Sequence, residues 1–188
     1  HKPYLDKDAQ AKGLNNLVIL GNTFIYPLAG YSKKIKSVND LQDGAVVAVP
    51  NDPSNLARAL ILLEKQGLIK LKDGVKPVDA QLSDIVENKK NIQIKNEIAP
   101  ELLVSTYEAN EGDAVIINSN FAIDAKLSPK KDSIALEDES SPYAKLVAVK
   151  PKDKDSDKIK ALIKALQSDE IRKFISDKYS DGSVIPAK

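Results

Sequence analysis

One stretch limits the fold of this chain more than any other. An apolar run at residues 45–49 leads into Pro-Asn-Asp-Pro-Ser-Asn at 50–55, and an amphipathic helix follows. Asp52 suits a helix N-cap, because its carboxylate can accept from the unpaired backbone N–H groups of the first turn. Pro53 suits the first helical position, where an N–H has no intrahelical partner in any case. Leu56, Ala59, Leu60 and Leu63 fall at i, i+3, i+4 and i+7 and form one apolar stripe. Gly67 is a natural C-cap. A strand that turns directly into a capped helix is the building unit of α/β domains, which present ligands at such turns.

The rest of the chain repeats the alternation. Residues 1–12 read as a short helix with Pro3 near its first turn and Gly13 at its end, and 17–20, 24–26 and 28–31 as extended segments. A capped short helix is expected at 37–41, a helix around Leu82, Ile85 and Val86, a strand at 92–94 and a helix at 100–109. Residues 113–117 and 146–149 are strands of the buried type, and 122–125 is helical. The clearest periodicity is near the end, with Ile159, Leu162, Ile163 and Leu166 on one helix and Ile171, Phe174 and Ile175 on a second capped by Ser168.

Composition excludes several chemistries. The 188 residues hold 28 basic and 27 acidic side chains, for a net charge of +1, which argues against a nucleic-acid binder working through a broad basic face. There is no Cys and one His, so thiol catalysis, thiolate metal sites and two-His metal sites have no ligands to use. Motifs for a nucleophile elbow, a P-loop or a zinc protease are missing, and no paired carboxylates signal acid/base work. No catalytic residue, metal ligand or cofactor site is expected, and the chain reads as a non-enzyme.

Arg occurs only at 58 and 172 among the 28 basic residues. On a helical wheel the apolar stripe covers about −60° to +40°, with Arg58 at roughly 200° and Asn55 at roughly 260°, so the two share a face away from the core. A solvated Arg fits that position. So does an anion site, in which a guanidinium fork and helix N-terminal N–H groups receive a carboxylate. Asn118 and Asn120 end an apolar strand, where turn chemistry and amide recognition of a ligand are both open. Tyr4, Phe24, Tyr26, Tyr31 and Tyr143 could line an apolar pocket or a core.

Several runs together resemble one family. They are His-Lys-Pro-Tyr-Leu-Asp at 1–6, Gly-Asn-Thr-Phe-Ile-Tyr-Pro at 21–27, Tyr-Ser-Lys-Lys-Ile-Lys-Ser at 31–37 and Pro-Asn-Asp-Pro-Ser-Asn at 50–55. Arg-Ala-Leu at 58–60, Gly-Leu-Ile-Lys-Leu at 67–71, Val-Ile-Ile-Asn at 115–118 and the run 138–143 with its Ser-Pro-Tyr continue the series. In order and spacing they are similar to the methionine-binding lipoproteins of bacterial ABC importers, over essentially the whole chain.

The resemblance implies a type II periplasmic-binding-protein fold: two α/β lobes with a hinge and a ligand cleft. Residues 1–36 and 141–188 would form lobe one, and 37–140 lobe two. It implies an extracytoplasmic substrate-binding role for L-methionine, a related amino acid or a short peptide, with a membrane permease as partner. Arg58 matches the arginine that pairs with the ligand carboxylate. Asn118 matches a head-group asparagine, and Asn55 lies in the same motif. His1, Tyr4 and Tyr26 match positions around the side-chain pocket. Two departures stand out. Lys145 occupies the place of a ligand-holding Asn after Ser-Pro-Tyr, and its ammonium either repels the ligand's own ammonium or snorkels to solvent. Family members also carry sequence ahead of the position of His1, including strands of lobe one and a lipid-bearing Cys. Lobe one is therefore expected to be incomplete here, with exposed strand edges, and the envelope anchor to lie upstream. The competing reading is a surface lipoprotein with a degenerate cleft that works through protein contacts.

Overall fold

A computed structural model describes residues 1–14, 16–138 and 141–187. Residues 139 and 140 of the family-like run at 138–143 lie outside the described residues. The chain divides into two units, His1–Pro27 with Asp138–Lys188, and Leu28–Glu137 between them. The first passage carries α1 (Lys2–Ala11), β1 (Val18–Asn22) and β2 (Phe24–Ile25). The middle unit runs β3 (Leu28–Tyr31), β4 (Val46–Pro50), α2 (Pro53–Lys65), β5 (Ile69–Leu71), β6 (Ile85–Asn88), β7 (Gln93–Ile98), α3 (Leu103–Glu108), β8 (Ala114–Asn118), α4 (Ser119–Asp124), α5 (Pro129–Asp132) and β9 (Ser133–Leu136). The chain then returns to the flanking unit with β10 (Leu146–Val149), α6 (Asp157–Leu166), α7 (Asp169–Lys178) and β11 (Ile185–Pro186).

The middle unit is built on a five-stranded sheet of order β7-β4-β8-β3-β9. β4 runs parallel to β7 and β8, while β3 runs antiparallel to β8 and β9. Both faces of this sheet are covered, which explains why its strands read as continuous apolar runs. The period of two sends alternate residues to opposite cores. Leu28, Val47, Val49, Ala114 and Ile116 join α2's Ala57, Ala59, Leu60, Leu62 and Leu63 on one face. Ala29, Tyr31, Ala48, Val115 and Ile117 join Leu103 of α3 and Ala122 of α4 on the other. Tyr31 is fully buried, so its role is core packing.

β3 also moves the unit boundary. The expectation gave residues 28–36 to lobe one. They belong to the middle unit, because β3 lies between β8 and β9 and its ladder bonds hold it there. A second correction concerns the segment around Leu82, Ile85 and Val86. It forms a short 3-10 turn at Leu82–Asp84, then strand β6 paired with β5, rather than a helix.

The flanking unit holds two separate antiparallel pairs, β1 with β10 and β2 with β11. His1 caps α1, its Nδ1 accepting from the Tyr4 N–H at 3.2 Å. Ser168 caps α7 as its position in the sequence suggests, and Ser156 caps α6. Gly21 lies at a register shift of β1, beside the end of the Gln167 side chain, which a Cβ at this position would displace. No helix among the described residues is long and apolar enough to cross a membrane.

Candidate functional site

The parallel strands β4 and β8 end at the same edge of the middle sheet, and that edge collects the polar residues. β4 passes through Asn51 into α2, whose N-cap is Asp52. Asp52 Oδ1 accepts from the Asn55 N–H at 3.0 Å and from the Ser54 hydroxyl at 2.8 Å. Its Oδ2 accepts from the Asn55 side-chain Nδ2 at 2.8 Å. β8 ends at Asn118, which follows Ala114 and Ile116 on the face covered by α2. The same alternation therefore turns Asn118 toward α2, and its Nδ2 donates to Asn55 Oδ1 at 3.1 Å. Asn118 occupies the N-cap position of α4 but makes no side-chain capping bond. Its amide serves the relay to α2 and not the turn. Asn118 is 7% exposed, and its Oδ1 is buried without a hydrogen-bond partner. Asn120 lies in the first turn of α4.

Arg58 sits one helical turn beyond Asn55. It is 3% exposed, which removes the solvated-Arg alternative for that face. α2 buries Ser54, Ala57 and Arg58 as well as Ala59, Leu60 and Leu63 of its apolar stripe, so polar wheel position did not mean exposure. A buried guanidinium requires a partner, because removing a charge from water costs several kcal/mol. Glu137, just after β9, supplies it. Arg58 Nε donates to Glu137 Oε1 at 2.6 Å and Nη2 donates to Oε2 in a bidentate fork. Glu137 Oε2 also accepts from the Leu28 N–H at 2.9 Å, and the Glu137 N–H donates to the Leu28 carbonyl at 2.9 Å. Leu28 pairs with Asn118 in the β3–β8 register, so guanidinium and amide are held at one corner of the sheet.

The remaining expected residues lie in the flanking unit. The His1 ring meets Tyr143 edge-on at 5.0 Å between centroids, and Tyr4 at 6.2 Å. Tyr143 is buried, whereas Tyr4 is 50% exposed. Tyr26 packs edge-on against Phe24 at 5.1 Å, and Lys145 Nζ lies 5.6 Å from the Tyr26 ring centroid. That cation–π contact gives the Lys145 ammonium an aromatic neighbour that neither sequence reading anticipated. No cluster of His, Asp or Glu suited to a metal ion is found among the described residues.

Sequence reasoning reached Arg58, Asn55 and Asn118 but missed Glu137 and the role of Asp52 beyond capping. Nothing local marks Glu137, which is 79 residues from Arg58. Asp52 was legible as an N-cap, and only the position of Asn118 reveals the relay it begins.

A polar corner at the carboxyl edge of a doubly covered sheet is where α/β proteins hold ligands, and the fold is that of the periplasmic substrate-binding proteins. It superposes on a structure from Coxiella burnetii titled an ABC transporter, periplasmic substrate-binding protein, with a TM-score of 0.89 and 40% identity, covering 100% of this chain and 76% of that one. A nutrient binding protein from Burkholderia cenocepacia, in a structure described as bound to methionine, gives a TM-score of 0.90 and 45% identity, covering 100% and 77%. The chain belongs to the NlpA lipoprotein family, whose profile matches residues 1–188. The D-methionine-binding lipoprotein MetQ of Escherichia coli K12 is 49% identical over 184 residues, which cover 98% of this chain and 67% of that protein. The chain spans 65–67% of the length of three curated relatives that it matches.

Proposed function

We propose that this chain captures a zwitterionic amino acid, methionine first among the candidates, as the substrate-binding component of an ABC importer at the cell envelope. The observation that carries the reading is the corner occupied by Arg58 and Asn118. The buried Asn118 Oδ1, an acceptor without a partner, is suited to an ammonium, and the Arg58 guanidinium, forked to Glu137 in this structure, is suited to a ligand carboxylate that takes over that partner's place. An unpaired buried acceptor costs about 1–3 kcal/mol, so a donor group that reaches it gains that amount. The relatives supply the rest: one is named for methionine binding, one structure is described as bound to methionine, and one is titled a transporter's substrate-binding protein.

The family resemblance adds ligand contacts from His1, Tyr4 and Tyr26 for the thioether and assigns Lys145 to a position near the head group. The work is capture and delivery to a permease, without turnover. A lipid anchor outside this sequence belongs to the same proposal.

Isothermal titration of the full-length protein with L-methionine, D-methionine and methioninol tests the reading. Saturable binding of methionine is expected, with methioninol much weaker because it lacks the carboxylate that Arg58 recognises. Absence of saturable binding by either enantiomer would overturn it. Lys145→Asn, which restores the family residue, is expected to tighten methionine binding. Equal affinity in both forms would remove Lys145 from specificity.

A further inference from the structure

We infer that Asp52 is a positioning residue, which sets the direction of the Asn55 and Asn118 amides and so leaves an acceptor, not a donor, at the head-group corner. The inference rests on the proposed function for its ligand, but its geometry stands alone. An ionised aspartate only accepts hydrogen bonds. Asn55 therefore has to give Asp52 its Nδ2, which it does at 2.8 Å. With its nitrogen committed, Asn55 presents Oδ1 to its other neighbour. Asn118 must answer with Nδ2, at 3.1 Å. Of the two polar side-chain atoms of Asn118, Nδ2 has its partner and Oδ1 is buried with none. One fixed charge thus propagates its polarity through two neutral amides to an orphan acceptor.

The device is specific because an amide has nearly the same shape in both orientations, while its hydrogen-bonding sense reverses. If Asp52 were replaced by a group able to donate, the whole relay could turn over. Asn118 would then offer Nδ2 and would favour a ligand with an acceptor at that point. The site would change its preference from an amino acid to the corresponding 2-oxo acid with no change in size.

Asp52→Asn tests this without removing the helix cap, because Asn caps as well as Asp. Two readouts are paired. In the ligand-free protein, NMR is expected to show the Asn55 side-chain NH2 slowly exchanging and moved from its random-coil position, and Asp52→Asn to change both the Asn55 and Asn118 side-chain signals. Unchanged signals would overturn the relay, whether or not methionine binds. In titrations with methionine and with 4-methylthio-2-oxobutanoate, Asp52→Asn is expected to weaken methionine by roughly 10- to 100-fold, the worth of a hydrogen bond to a charged group. The oxo acid should weaken less or gain. Equal weakening of both ligands would mean that Asp52 acts only on stability and would overturn the inference. If the wild-type protein binds neither ligand while the NMR signals respond, the relay stands and the proposed function fails.

Discussion

In the middle unit, β4 is hydrogen-bonded on both sides and each face of its sheet carries a core. In the flanking unit, among the described residues, β1 and β2 each pair with one strand, and the buried apolar cluster consists of Ile25, Ala144 and Ala187, with Ile185 against it. Five of the seven exposed large apolar side chains among the described residues also lie in the flanking unit: Tyr4, Leu14, Ile19, Leu162 and Phe174. α6 makes the difference plain. Its apolar stripe is among the most regular in the sequence, yet the helix has no fully buried residue. α2, with a broader and less regular pattern, buries seven. Periodicity records which face a helix offers for burial. How much of that face is covered depends on what is packed against it, and an isolated strand pair covers little.

The contrast can be broken at its strongest point first. Arg58→Ala leaves the Glu137 carboxylate buried without its fork and is expected to destabilise the protein by about 3–5 kcal/mol. The same change should abolish methionine binding. Urea denaturation and calorimetry on one sample measure both effects. A variant that keeps wild-type stability would show that the pair is not held as described. Leu60→Ala, at a fully buried position of α2, comes next, with an expected loss of about 2–5 kcal/mol.

A smaller effect is expected at the opposite edge of the middle sheet. There Asp113 Oδ2 accepts from the Val46 N–H at 2.8 Å and Oδ1 meets Lys34 Nζ at 3.1 Å. The Val46 bond, chiefly, holds the Asp113 carboxyl below its ordinary value; partial burial opposes this and Lys34 assists. The folded group therefore titrates below the unfolded one. Its contribution is complete above the unfolded value of about 3.9 and is lost as pH falls through the folded value. Comparing urea midpoints at pH 6 and pH 3 should show Asp113→Ala losing less stability on acidification than the wild type. Because the Asp113 side chain is 36% exposed, solvent screening keeps this below the two core effects. The smallest change is expected from Phe174→Ala, 52% exposed on α7, within about 0.5 kcal/mol of wild type. A loss as large as that of Leu60→Ala would erase the distinction between the units.

Much of the fold was legible because its signals are local. Asp52 and Pro53 marked the start of α2, and the apolar runs at 45–49 and 113–117 marked β4 and β8 to within about a residue at each end. The short strand β9 carried no such mark. It is a strand because β3 offers it a ladder, and that same pairing moved the unit boundary to Leu28. The helix expected around Leu82 failed for a related reason: β5 pairs with β6, and pairing overrode a weak helical pattern.

The sequence by itself determined the α/β class, the capped turn at Asp52 and the family membership, and it singled out Asn55, Arg58 and Asn118 as candidates. Each of these rests on residue type and short-range spacing. Only the tertiary structure decided that Arg58 is buried against Glu137 and that Asn118 joins Asn55, with an acceptor left over. Those partners stand 79 and 63 residues apart, and no local pattern encodes which side chain meets a buried charge or which end of an amide it meets. Sheet register and the covering of α2 bring them together, and the cost of leaving a charge unpaired away from water holds them there.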